Sequence, residues 1–211
     1  MTAERLRIES LSGRHVPAVA RLHSMALTRD FTGWAGRHMV ALFYRELIAS
    51  HDPPPGFVAL AGEHVVGFAV AVANARAIKR RVAVRWGWYL APLALVHLIS
   101  APGSLLRRLG RWWQNRAGSA ADGAPDPLEV CCPPPRIEFR GIVVDPAAHV
   151  PGAALALMKA RLSWAKAAGY RSIYFRIEPD NIHSIKLCQW AGAQPVPGTL
   201  PGRQLRFYKV L

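Results

Sequence analysis

Residues 143–158 read VVDPAAHVPGAALALM. An apolar run ending at Val144, a loop punctuated by Asp145, Pro146, Pro151 and Gly152, and an alanine- and leucine-rich run spell strand, loop and helix in direct succession. A helix that begins immediately behind a strand turns backbone N–H groups with no intrahelical acceptor, and the positive end of its dipole, toward whatever lies above that strand. This is an arrangement for holding an anion. Glycine and alanine at a helix start also serve close packing, so the surroundings must decide between the two.

Upstream, the chain reads as a strand over 6–11, a helix over 15–26, and a second helix whose Val40, Phe43, Tyr44, Leu47 and Ile48 recur at helical spacing along one stripe. His-Asp-Pro-Pro-Pro at 51–55 stops it, and apolar strands over 57–61 and 65–73 flank Gly-Glu-His as a hairpin. Downstream come a strand over 137–144, a helix over 152–168 with Leu155, Met158, Leu162 and Ala165 inward and Gly169 as its stop, a strand over 172–177, a helix over 181–191 and two closing strands, 194–196 and 205–210.

Between these halves, residues 74–135 read as an insertion. Basic residues (Arg76, Lys79, Arg80, Arg81, Arg85) give way to an uncharged run over 86–106, then to Arg107, Arg108, Arg111 and Arg116. The uncharged run is long enough to cross a bilayer. Pro92, the Pro102-Gly103 pair, His97 and arginines on both flanks argue instead for an interfacial or substrate-covering helical pair, or for core packing. Residues 117–135, small and proline-rich, read as a linker.

At 211 residues and 51% hydrophobic, the chain is expected to form a single domain, 1–211, with a substantial core, which excludes global disorder. Lys and Arg number 27 against 13 Asp and Glu, a net +14 that attracts anions of any kind. With no RNP, KH or zinc-finger pattern, nucleic acid is not an expected partner. Three cysteines, two of them adjacent (Cys131, Cys132), match neither a disulfide framework nor a metal site, and no metal is expected. The first thirty residues lack the apolar core of a signal peptide, so a cytoplasmic protein is expected, with a peripheral place at a membrane left open by the insertion.

The loop at 149–154 resembles the pyrophosphate arm of the GNAT superfamily of N-acetyltransferases, usually written Q/RxxGxG/A, with His149 at the first position, Gly152 at the glycine and Ala154 at the last. Phe-Val-Ala-Leu-Ala with the following hairpin strand, and Ile-Glu-Pro-Asp-Asn with Gln-Trp-Ala-Gly-Ala-Gln-Pro-Val, are similar to the family's middle hairpin and C-terminal motif. His149 departs from Gln or Arg, Val150 stands where a glycine is common, and Pro151 removes a donor. The resemblance implies an α/β (α+β) fold: a central mixed, mostly antiparallel sheet flanked by helices, with a helical insertion between the third and fourth strands. It implies acetyl-CoA or a longer acyl-CoA as co-substrate. Ile142, Val143 and Val144 would then offer main-chain groups to the pantetheine, and Val150, Gly152, Ala153 and Ala154 N–H groups to the pyrophosphate, with His149 near the phosphates. Asn181, Ser184 and Cys188 share one helix face by spacing. In the family that face meets the cofactor, and Cys188 stands where a Tyr often serves as general acid.

Aminolysis of a thioester needs a neutral amine and a proton acceptor, and no covalent nucleophile. Glu138 is the first candidate base, His183 a weaker one, and Glu178 another carboxylate near the same region. The expected activity is acyl transfer from acyl-CoA to a primary amine, on a small molecule or a peptide, by direct attack. The competing expectation is a non-catalytic module of the same fold that binds CoA or a partner. The 75–116 insert is expected to cover the acceptor or acyl side of the cleft and to give affinity for a membrane surface or an acidic carrier protein.

Overall fold

The computed structural model describes residues 6–26, 34–50, 56–100, 126–197 and 204–211. Alternating apolar runs become the strands β1 (Leu6–Ser10), β2 (Gly56–Ala61), β3 (His64–Val72), β4 (Arg136–Val144), β5 (Ser172–Ile177), β6 (Gln194–Pro195) and β7 (Leu205–Val210). They form one sheet in the order β1-β2-β3-β4-β5-β7-β6, antiparallel throughout except where β4 meets β5. The helices are α1 (Val16–Ala26), α2 (Trp34–Ala49), α3 (Ala75–Ser100), α4 (Pro127–Cys131), α5 (Ala153–Ala167) and α6 (Ile182–Trp190). The mixed, mostly antiparallel sheet and the helical insertion between β3 and β4 are as expected from the sequence.

Strand periodicity divides the core between two faces. Val58, Leu60, Phe68, Val70, Val72 and Val143 pack under α1 and α2, where Val40, Tyr44 and Leu47 carry the stripe read from the sequence. Ala59, Ala61, Val66 and Ala69 meet Ala153 and Leu157 of α5 on the other face, and Ile137, Phe139, Ile173 and Phe175 meet Met158, Ala165 and Cys188. Each large side chain buried in this way stabilises the fold by roughly 1.5–3 kcal/mol before chain entropy is counted.

Two irregularities at the middle of the sheet position the site. The β3–β4 register slips between Ala69, opposite Ile142, and Val70, opposite Arg140. Gly141 is thus an extra residue, a bulge at φ 34°, a backbone region that side chains other than glycine's adopt at a cost. Furthermore, β4 and β5 pair only from Arg136–Ser172 to Glu138–Tyr174. Beyond that point β4 stays with β3 as far as Val144, β5 stays with β7 as far as Ile177, and the two central strands part. Among the described strands, the sheet is split along its only parallel seam.

Three readings of the sequence need correction. Pro92 does not break the insertion's apolar run, because α3 continues through it to Ser100. The half ahead of the proline is anchored to α2: Trp86 Nε1 donates to Glu46 Oε1 at 3.0 Å, Arg85 Nη1 lies 3.4 Å from the same oxygen, and Tyr89 Oη meets His38 Nε2 at 3.0 Å. Such anchoring offsets the backbone bond that proline removes. The proline-rich stretch is not a linker over its described part, 126–135. Asp126 caps α4 by accepting from Leu128 N, Pro127 opens the helix, and Cys132 Sγ donates to Ser172 Oγ at 3.0 Å beneath β5. The inward stripe of α5 runs through Leu157, Met158, Arg161 and Ala165 and leaves Leu155 and Leu162 half-buried. The expected second helix of the insertion, and the stop at 51–55, lie outside the described residues.

Candidate active site

The loop from β4 to α5 is braced at its start. Asp145 N donates to Val66 O at 2.7 Å, its Oδ1 accepts from Ala147 N, and its Oδ2 lies 3.5 Å from Arg21 Nη2. His149 is exposed and held at φ 44°, a left-handed conformation costly for a residue with a Cβ, and Gly152, the N-cap of α5, lies at φ 82°. A Cβ on Gly152 would meet nothing within 4 Å, so the helix start faces open space. The first α5 ladder bond runs from Ala156 N to Gly152 O, and Ala153 N turns back to Val150 O at a long 3.5 Å. The N–H groups of Gly152, Ala154 and Leu155 are therefore the freest at this end. Ile142, Val143 and Val144 pair with Ala69, Phe68 and Gly67 of β3, and none of them pairs with β5.

Across the split stands α6. Asn181 caps it, its Oδ1 accepting from Ser184 N at 3.0 Å, which leaves only the amide NH₂ for a ligand. Cys188 is buried against Phe139 and Met158, and burial pushes its thiol up to about 12. Burial of the thiol among apolar side chains disfavours proton transfer from Cys188 to a leaving thiolate. His183 is exposed on the same helix and is brought to no other candidate. Glu178 accepts from Gln204 Nε2 at the outer end of β5.

Glu138 is the candidate most strongly embedded in neighbours. Its side chain is 8% exposed, with Arg140 Nε at 3.2 Å, Arg176 Nε at 3.7 Å and the Tyr174 hydroxyl donating to Oε2 at 3.5 Å. Burial first, and then the Glu138 charge, raise the Tyr174 pKa. Beside this group His23 on α1 stacks on Phe68 and shares a 2.8 Å hydrogen bond with the Tyr44 hydroxyl. Burial, with the Arg140 charge adding to it, lowers His23 to about 4, and burial raises Tyr44. This wall of the cleft is therefore neutral.

On the opposite face of β4 lies Arg161, 2% exposed. Its Nη1 donates to Val70 O and Arg140 O, both at 3.0 Å, its guanidinium lies 4.4 Å from the centre of the Phe139 ring, and its Nε has no partner. Burial presses its pKa down to about 9. The two carbonyls are those of the residue pair on which the β3–β4 register slips, so Arg161 is bolted beneath the bulge.

The model of the GNAT acetyltransferase family matches residues 111–193. The matched stretch takes in β4, α5, β5 and α6 and is less than half of the chain. No curated protein sequence matches the chain. Among solved structures, one described as an acetyltransferase superposes with a TM-score of 0.58 at 18% identity, covering 97% of this chain and 98% of its own. The polyamine N-acetyltransferase of Drosophila melanogaster, described as forming N-acetylagmatine, gives 0.54 at 12% over 98% and 100%. The putative acetyltransferase yncA of Salmonella typhimurium, solved with acetyl-CoA, gives 0.52 at 14% over 98% and 94%. At these identities the likeness is one of fold.

The residues at the split fit acetyl-CoA: an unpaired strand edge for an extended amide chain, then an open glycine N-cap for a diphosphate. Among the described residues no three His, Cys, Asp or Glu side chains gather as a metal site requires. The sequence reading missed Arg140, Arg161, Tyr174, Arg176, His23 and Tyr44. Period two along β4 and β5 would have placed Arg140 and Arg176 on the face of Glu138 and Tyr174. A cation within the apolar stripe of α5 was the signal for Arg161. Nothing local joins His23 to Tyr44.

Proposed function

We propose that the protein is a GNAT acetyltransferase that acetylates a small primary amine by direct attack, with the reaction centred on the split between β4 and β5. Acetyl-CoA supplies an activated thioester carbonyl. Ile142, Val143 and Val144 hold the pantetheine as an added strand, and the N–H groups of Gly152, Ala154 and Leu155, with Val150 and Ala153 behind them and His149 beside them, hold the diphosphate. Asn181 offers its amide and Ser184 its hydroxyl from the far wall. Glu138 takes the ammonium proton, directly or through a water, and so supplies the neutral amine that attack requires. Tyr174, whose hydroxyl meets the Glu138 carboxylate, is the group that would protonate the leaving thiolate. The observation that carries this reading is the coincidence of the two features on one strand: β4 leaves β5 after Glu138 and runs unpaired on that side to the Gly152 helix start.

Titration calorimetry with CoA, followed by release of free thiol from acetyl-CoA in the presence of amines, tests it. Gly152→Glu should weaken CoA binding about a hundredfold, since a carboxylate there opposes a diphosphate and strains φ 82°. Undiminished affinity in a folded variant overturns the assignment. Binding without turnover on any amine favours the non-catalytic module. A longer acyl donor would show as faster thiol release from that donor than from acetyl-CoA.

A separate observation favours a membrane surface as partner. On α3, Trp88 and Val84 are 77% and 79% exposed among Arg80, Arg81 and Arg85, an apolar and cationic mixture suited to an anionic interface. Retention on phosphatidylserine vesicles that Trp88→Ser and added salt both abolish supports it. Binding to an acidic carrier protein but not to vesicles assigns the helix to a protein partner.

A further inference from the structure

The charged groups on the α1/α2 side of β4, β5 and β7 are unevenly matched. Arg136 lies 3.2 Å from Glu129, and Arg206 lies 2.6 Å from Asp126, so α4 and its cap bring each of these arginines its own carboxylate. Glu138 alone is left to face both Arg140 and Arg176. Among the described residues no second carboxylate pairs with either arginine, and one positive charge remains uncompensated. It remains at a particular place. Pairing between the central strands ends at Glu138 and Tyr174, and Arg140 and Arg176 stand two residues further out on the same face, one on each lip of the split. Their side chains stay 39% and 48% exposed although each directs Nε at the nearly buried Glu138.

These two guanidinium groups flank the split at which a thioester would sit. They repel a second positive charge on the acceptor and match the geometry of an oxyanion with paired donors. Among the described residues, His23 with Tyr44 beside this group adds no carboxylate that would welcome a polycation. We infer that the acceptor is a small primary amine that also bears an oxyanion, a carboxylate or a phosphate, gripped by Arg140 and Arg176 while Glu138 faces the amine. This rests on the acetyl-transfer reading and adds its substrate class, distinct from the agmatine named for the Drosophila structure.

The test is a panel of matched amines with acetyl-CoA: β-alanine against β-alaninamide, phosphoethanolamine against ethanolamine, and agmatine as the cation. The anionic member of at least one pair should exceed its uncharged partner by tenfold or more in kcat/KM, chiefly through KM, and which pair responds tells carboxylate from phosphate. Arg176→Gln should collapse that ratio toward one, and Arg176→Glu should turn the order toward agmatine, in proteins whose thermal melting matches the parent. A readout free of turnover is calorimetric binding of the preferred anionic amine to the CoA-saturated protein, which Arg176→Gln should weaken about tenfold. Preference for uncharged or cationic amines, or a ratio that Arg140→Gln and Arg176→Gln leave intact, overturns the inference while acetyl transfer stands. CoA binding with no acetylation of any amine removes both.

Discussion

Arg161 and Arg140 meet at one backbone carbonyl from opposite faces of β4 and live in opposite worlds. On the open face Arg140 keeps 39% of its side chain in solvent and shares a carboxylate with Arg176. On the closed face Arg161 has no carboxylate within ion-pair reach among the described residues, and its partners are two carbonyl oxygens, the Met158 thioether and an aromatic ring. Burying an unpaired guanidinium costs several kcal/mol, and the site tolerates it because a bulge leaves carbonyls that no neighbouring strand can satisfy. The same residue type is thus a ligand-facing charge on one side of a strand and a clamp on backbone geometry on the other.

Substitutions on the two faces should differ in kind as well as size. On the open face, Glu138→Gln should slow acetyl transfer by about a thousandfold, within the usual range for a general base, while leaving CoA affinity alone. Steady-state rates across pH 6 to 9, with chemistry shown to limit turnover, check this, and an unchanged rate would reduce Glu138 to a counter-ion for the two arginines. On the closed face, Arg161→Leu should cost about 3 kcal/mol of stability by orphaning the Val70 and Arg140 carbonyls, whereas Arg176→Ala should stay within about 0.5 kcal/mol. Urea midpoints measure both, and equal losses would erase the distinction between the faces.

Acid sharpens the contrast next. His23 stays neutral in the folded chain down to about pH 4, but in the unfolded chain it takes up a proton near its ordinary value of about 6.5. The unfolded state therefore binds more protons in that window, and stability falls as pH drops from about 6.5 toward about 4, by about 2 kcal/mol at pH 5. His23→Gln should flatten this slope in urea melts taken at pH 7 and pH 5. The smallest effect belongs to Cys188→Ala, which should cost about 1 kcal/mol and leave the rate of acetyl transfer within a factor of two. A rate loss beyond tenfold would restore the thiol as a participant in chemistry.

The strands, the hairpin and the strand–loop–helix at 143–158 were legible because each is written in local periodicity and local turn residues. The arm was legible for the same reason, since Gly152 in a left-handed N-cap is a property of its own backbone. The open face was not. Glu138 gains its meaning from Arg176 and Tyr174, which arrive on a strand more than thirty residues later, and His23 gains its own from Tyr44 on the next helix. Composition misled at 126–135, where prolines that suggest an extended tether in fact start a helix at an aspartate cap and are fastened by Cys132 to Ser172. The local cue, Asp-Pro ahead of Leu-Glu-Val, was present, but its anchor lay forty residues away.

The parting of β4 from β5 leaves two strand edges facing each other in the middle of the molecule, each with backbone donors and acceptors that no neighbouring strand takes up. Open edges of this kind template association between chains, and most proteins shield them at the rim with charge or proline. In the function proposed above the shield is the ligand itself, an amide-bearing chain that fills the gap as a strand would. The ligand-free protein should accordingly be the more prone to self-association, while CoA at a hundred times its Kd should add about 2.7 kcal/mol by mass action alone. Whether a preparation remains monodisperse would then report how much of it is loaded.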